Sequence, residues 1–417
     1  MNMKRSLSYS RTRLACYVSF IVQAIVNNLA PLLFVTFQRE FFISLERVSA
    51  LIAINFVTQM TIDALAMKYA ARIGIRRLVI SCEVCAALGL MGLAIFPRVF
   101  SNPFVGLCAA TILSATGGGL IEVLISPILE AIPSGNKAAS MSFLHSFYCW
   151  GQAAVALLSA LFFWRFSRDA WPALPVIGAL VPIAALVLFI RAPFCSLPGD
   201  AAPIPLRRLV AHRLVPPLFL LMLASGASEI SMAQWASLFA ETGLGISKTL
   251  GDILGPCAFA LAMGVVRAWY GTRGTRVDIT RALFISAVAC VACYLAATLA
   301  HNPIAALVGC ACTGFTVALM WPGTLSFAAR RMPEGGTALF ALLALAGDTG
   351  ATLGPLLVGR VAGAVDRGIL SRFAAWFAVS RPEQSGIKLG LLTAIIFPVL
   401  LAVIINGMRR KRPGDSA

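Results

Sequence analysis

Charge is the scarcest commodity in this chain. Of 417 residues only 12% are Asp, Glu, Lys or Arg, while 59% are hydrophobic. A soluble domain covers its surface with about 25% charged residues, so a water-soluble globule is excluded. Histidine is nearly missing: the three, at 145, 212 and 301, are too dispersed to form a zinc site by spacing. No Walker A sequence occurs, which leaves an ATP-driven pump unsupported. The glycine-bearing run GVVRAWYGTRG (264–274) follows no strand and is not a nucleotide loop. These absences predict no enzyme, no catalytic residues, no cofactor and no bound metal.

What is present is a series of apolar runs, with a mean hydropathy of +0.86. They fall at about 14–38, 46–70, 77–97, 104–130, 138–163 and 172–192, then at about 215–241, 248–271, 280–300, 303–330, 336–360 and 386–408. Each is long enough to cross roughly 30 Å of hydrocarbon as a helix. The fold class expected is therefore an all-α polytopic membrane protein with twelve transmembrane helices in two six-helix bundles. Residues 1–192 would form the first bundle, 193–214 a Pro- and Arg-rich cytoplasmic linker, and 215–417 the second.

The formal net charge of +17 raises nucleic-acid binding as a possibility. The basic residues flank apolar runs instead of forming one patch, so the lipid bilayer is the partner and nucleic acid is not. Placing both termini in the cytoplasm puts 23 of the 34 Lys and Arg on the inside, the bias that the positive-inside rule favours. Met1–Arg13 is basic and polar, and the first apolar run is too long for a signal-peptide core, so no cleavable signal is expected. Eleven cysteines include the close pairs Cys82/Cys85, Cys290/Cys293 and Cys310/Cys312, all within apolar segments, and read as small reduced core residues.

The two sets of six echo one another. Gly119 and Pro127 are eight apart in segment 4, as are Gly314 and Pro322 in segment 10; Gly151 and Gly350 stand at similar offsets in the segments that follow. Paired halves of this kind are the layout of a secondary transporter.

Polar residues at membrane depth carry the functional reading, because they face a bundle interior or a wet cavity. Glu122, in GGGLIEVLISPILEAIP (117–133), has no basic neighbour, shares a face with Ser126 and precedes Pro127, which cannot donate to the carbonyl of Val123. Burial in a low dielectric suits a carboxyl to carrying a proton. Segment 1 aligns Gln23, Asn27 and Pro31, with Asn28 adjacent, and amides suit hydroxyl-rich ligands. Segment 2 aligns Asn55, Gln59 and Asp63; Lys68 or Arg72 would pair with Asp63 in a gating or structural role. Segment 5 stacks His145, Tyr148 and Gln152. Segment 7 carries Glu229, Gln234 and Trp235, with Gly226 and several serines opening its backbone; Trp321 lies in segment 10 and Asp348 in segment 11. Asp252 and Arg267, in segment 8, are too far apart to pair, and Glu83 reads as structural. For each polar position, interhelical packing is the rival to cavity lining.

The run ARIGIRR (71–77) resembles the tail of the major facilitator loop signature, with Ala71 where that signature has an acid. Together with GGGLIEVLISPILEAIP, SFLHSFYCWGQ (142–152), GASEISMAQWASLFAETGLGISKTLGD (226–252) and MWPGTLSFAARRMPEGGTALFALLALAGDTGATLGP (320–355), it gives a chain similar to the bacterial fucose permease-like sugar:proton symporters of the major facilitator superfamily. The resemblance implies a central cavity between the two bundles, alternately open to each side. It also implies a fourth-helix acid that binds a proton and a substrate hydroxyl, the position Glu122 matches. The first-helix acid of such proteins is replaced here by Asn27 and Asn28.

The expected function is a secondary active transporter of a small polar solute, a sugar or sugar-like compound, coupled to protons in a bacterial inner membrane. The alternative is a proton-antiport exporter of amphipathic drugs or metabolites. Glu122, Glu229 and Asp348 are the expected proton-coupling residues. Substrate is expected to meet Gln23, Asn27, Asn28, Glu122, His145, Tyr148, Gln152, Glu229, Gln234, Trp235 and Trp321. Asp63, Arg72 and Arg76 are expected to gate or support, and the protein to work as a monomer.

Overall fold

A computed structural model describes residues 3–133, 137–194, 209, 211–273, 278–332, 336–370, 372 and 382–410. Among them the chain is helical, with no strand. Twelve helices are long and apolar enough to span a bilayer. They are α1 (Tyr9–Leu32), α2 (Leu45–Ala66), α3 (Ile75–Val99), α4 (Pro103–Leu129), α5 (Phe143–Arg165) and α6 (Arg168–Ile190). The second set is α7 (Val215–Gly243), α8 (Lys248–Tyr270), α9 (Ile279–Leu299), α10 (Pro303–Ala328), α11 (Leu342–Asp366) and α12 (Glu383–Met408). Most of the linker expected at 193–214 lies outside the described residues. Large apolar side chains such as Leu158, Ile285 and Val308 stand exposed on the outer surface, where hydrocarbon would meet them.

Local signals set the helix ends. Asn102 and Asn302 each cap a helix whose first residue is Pro, accepting from Phe104 N at 3.0 Å and Ile304 N at 2.8 Å. The two Asn-Pro starts open α4 and α10, the same element of each half. Gly74, in ARIGIRR, precedes α3 with φ +92°, where a side chain would be strained although nothing crowds it. Arg76 then donates to the carbonyls of Ile190 and Ala192, tying the start of α3 to the end of α6. This is a structural tether and not a contact with the cavity.

The repeat read from glycine offsets has a physical counterpart. A Cβ on Gly119 would lie 2.9 Å from the carbonyl oxygen of Gln59 on α2, and one on Gly314 would lie 2.2 Å from that of Phe259 on α8. Gly151 meets α1 in the same way, with Ala24 Cβ 2.9 Å away, and Gly350 meets α7, with Leu223 O 2.0 Å away. Each glycine allows the same pair of helices to touch in each half. In a bilayer, where lipid is as apolar as a side chain, such close backbone approach drives helix association.

One expectation is corrected. Gly226 and the serines of α7 do not open its backbone: Val215–Leu238 is an unbroken α-helix that passes into a π-turn at Phe239–Gly243. Ser225 and Ser228 return their hydroxyls to Leu221 O and Ala224 O, and Gly226 packs against Gly347 of α11. The small residues serve contact, and no carbonyl is released.

The halves meet along α2 and α11. Glu46 binds Arg367, Gly359 seats Ser49, Thr349 lies 3.7 Å from Met60 Sδ, and Asp63 faces Asp348. Further cross-half contacts cluster at the membrane face opposite the N-terminus. Glu241 takes Arg168 and, at 3.6 Å, Arg39, while Lys248 donates to Leu32 O at 2.6 Å.

Candidate functional site

A cavity of about 130 Å³ lies at the centre of this seam. α1 contributes Phe20, Gln23 and Asn27; α4 contributes Glu122 and Ser126; α5 contributes His145 and Tyr148. The second half adds Glu229 and Ile230 from α7, Arg267 from α8, Trp321 from α10, and Asp348 and Ala351 from α11, with Phe56 of α2 closing the wall.

Two charged groupings give it polarity. On one side Glu122 and Asp348 line the cavity, and a carboxylate oxygen of each lies within 4.8 Å of the other and of one from Asp63. Gln23 Nε2 donates to Glu122 at 2.9 Å. Among the described residues no basic side chain forms a salt bridge with any of the three. Three carboxyls this close in a low dielectric cannot all be charged without a proton or another positive group among them. The pairing expected of Asp63 with Lys68 or Arg72 falls outside the described side chains.

On the other side Arg267 binds Glu229 at 2.9 Å and also reaches Ala318 O at 3.3 Å and Cys149 Sγ at 3.6 Å. Sequence reading passed over Arg267, setting it only against Asp252 on its own helix. Asp252 instead pairs with Lys248 at 2.8 Å, and Arg267 pairs across helices. An arginine amid an apolar stretch was the available signal.

The amide stripe is divided by the fold. Asn27 Oδ1 accepts from Asn55 at 3.1 Å and Gln59 at 2.7 Å, while its backbone oxygen accepts from Gln234 at 2.9 Å. Asn28 donates to Ala24 O and to Tyr148 Oη. His145 meets the ring of Phe20 edge-on. Of the expected substrate contacts, Gln23, Asn27, Glu122, His145, Tyr148, Glu229 and Trp321 line the cavity, as does Asp348. Asn28, Gln152, Gln234 and Trp235 do not. Trp235 is fully buried and donates to Pro355 O in a helix contact, and Gln152 is 2% exposed. Glu83 receives the Ser19 hydroxyl away from the cavity.

The Major Facilitator Superfamily sequence model matches residues 15–355. No curated protein matches significantly. Among solved structures, a bacterial homolog of the human lysosomal transporter Spinster, inward-facing and occupied, superposes with a TM-score of 0.75 at 16% identity, covering 97% of each chain. A D-xylose–proton symporter gives 0.71 at 14% identity, over 94% of this chain and 97% of that one. The E. coli fucose:proton symporter gives 0.62 at 15% identity, over 97% of this chain and 100% of that one. At such identities the likeness establishes the fold alone. The family match spans most of the chain, and its match region holds every residue that lines the cavity. The chain belongs to the major facilitator superfamily and is a multi-pass membrane transporter, not an enzyme.

Proposed function

We propose that the protein is a secondary active transporter that moves a small polar solute, a sugar or sugar-like compound, by alternating access coupled to protons. It would sit in a bacterial inner membrane with both termini cytoplasmic. The observation that carries the reading is the cavity itself. It lies between the halves, and its polar wall combines amides and hydroxyls with two carboxyls, Glu122 and Asp348, that have no basic partner among the described residues. Amide and phenol groups both donate and accept, which matches a polyol, and Trp321 offers a face to the C–H side of a ring. Glu122 would bind the proton and, with Gln23, a substrate hydroxyl. Alternating access would break the cross-half contacts of Glu241, Lys248 and the α2–α11 seam, then reform them.

The test is reconstitution into liposomes with an imposed pH gradient and a panel of labelled monosaccharides. Accumulation above equilibrium, abolished by a protonophore, is the expected result. If no polar solute accumulates and cationic drugs are instead extruded, the exporter reading replaces it.

A further inference from the structure

Pro31 stands inside the last turn of α1. A proline has no N–H, so the carbonyl four residues before it, that of Asn27, loses its intrahelical donor, and the ring pushes that carbonyl off the helix axis. In lipid a carbonyl freed in this way has to be met by a neighbouring group. The donor here comes from the opposite half: Gln234 Nε2 of α7 lies 2.9 Å from Asn27 O. The pattern recurs where α1 ends. Leu32, its last residue, offers a second carbonyl left open by the helix terminus, and Lys248 of α8 takes it at 2.6 Å. Two backbone oxygens of one interrupted helix end therefore hold α7 and α8, where an unbroken helix would bond both within itself.

The residue that carries the first of these oxygens also lines the cavity. Its Oδ1 accepts from Asn55 at 3.1 Å and Gln59 at 2.7 Å, and all four side chains are buried. Asn27 is thereby fixed to its own half by its side chain and to the other half by its backbone. A void of about 20 Å³ adjoins the bond, with Asn27, Pro31, Asn55, Thr111, Ser114 and Gln234 among its walls. That is room for one water, so the carbonyl need not stay bare when Gln234 withdraws. A water-bridged carbonyl is nearly as well satisfied as a directly bonded one, which lets the contact break and reform.

We propose that Gln234 is a positioning residue for alternating access: it captures the carbonyl released by Pro31 and holds the cavity residue Asn27 against α7 only while the halves are shut at the face opposite the N-terminus. Parting of the halves at that face breaks the bond and loosens Asn27, so closure and the shape of the cavity wall change together. This rests on the alternating-access reading of the cavity.

Cys257 supplies a native reporter. It is 4% exposed, within a cluster that joins Leu32, Ala153 and Ala156 of the first half to Ala260 of the second, and opening at that face uncovers it. In the full-length protein with Cys257 as its only cysteine, reconstituted in sealed liposomes, its labelling rate by a small membrane-impermeant methanethiosulfonate follows the open fraction. Gln234→Met removes the donor with little change of size and should raise the rate from that face about two- to tenfold, the worth of one neutral hydrogen bond. Pro31→Ala restores an N–H that covers Asn27 O inside α1 and should raise the rate similarly. Adding Gln234→Met to it should raise the rate no further. Pro31→Gly, which restores the same N–H, takes its place if Pro31→Ala does not fold. An unchanged rate in either single variant, rises that multiply in the double variant, or equal rises from both membrane faces overturn the proposal. A lower melting temperature with an unchanged rate makes the bond ordinary packing and overturns it too. The measurement uses no solute and no pH gradient, so failed uptake of every labelled sugar leaves this inference standing, and its own failure leaves the solute and proton reading intact.

Discussion

Arg267 Nη2 sits between the two carboxylate oxygens of Glu229, 3.0 Å from Oε1 and 2.9 Å from Oε2, and locks α8 to α7 at the wall of the cavity. The two residues are 38 apart in sequence, and both are largely withdrawn from solvent. Breaking a buried pair by removing one partner leaves an uncompensated charge, a loss of about 3–5 kcal/mol. Glu229→Gln should therefore lower the melting temperature markedly. The double variant Glu229→Gln with Arg267→Gln should lose less than the two single losses added together. Additive losses measured by unfolding would show that the two side chains do not act as a pair.

Glu122→Gln keeps the shape and hydrogen bonding of a protonated carboxyl, including the contact with Gln23, but cannot release a proton. Uphill uptake should fall to equilibrium while counterflow exchange continues. Glu122→Ala should lose binding as well, since no donor or acceptor then remains. Unimpaired accumulation by the Gln variant would leave Glu122 as interhelical glue.

Cysteine accessibility separates the two halves of the amide stripe. Asn27 lines the cavity, whereas Gln152 is packed away. In a background free of native cysteines, Asn27→Cys should react with a small thiol reagent and be shielded by a transported solute. Gln152→Cys should stay unreactive. Equal labelling of the two would show that α5 turns a different face to the cavity.

Lys248 spans the halves by donating to Leu32 O at 2.6 Å while paired with Asp252 at 2.8 Å. Removing the amine with Lys248→Met deletes the donor to Leu32 O and strands Asp252. Spin labels at Phe42 and Thr242, beside the same face, should then show a larger share of long distances, a shift of about 1.5–3 kcal/mol for one charge-assisted hydrogen bond. An unchanged distance distribution would exclude Lys248 as a latch.

Topology follows from the distribution of basic residues. A reporter fused after Ala417 should be active only in the form that requires the cytoplasm. With Arg267, which lines the cavity, left out of the count, 22 basic residues still fall inside against 11 outside.

By itself the sequence determined that the chain is a twelve-helix membrane protein, because runs of apolar residues have a length set by bilayer thickness. It also placed the repeat, through glycines that now prove to seat the same helix pairs, and it singled out Glu122 as an acid without a basic neighbour. The Asn-Pro starts of α4 and α10 were legible too and went unread. Only the tertiary structure decided which acids meet. Asp63 and Asp348 are brought together from opposite halves, and Trp321 faces the cavity while Trp235 is buried in a contact, although both lie in apolar segments. The reason is physical. In water, hydropathy contrast tells which face of a helix turns inward, but in lipid the core and the surroundings are equally apolar. The rotation of each helix is then fixed by packing of small residues and by long-range hydrogen bonds, such as those from Gln59 and Gln234 to Asn27, which no local stretch of sequence contains.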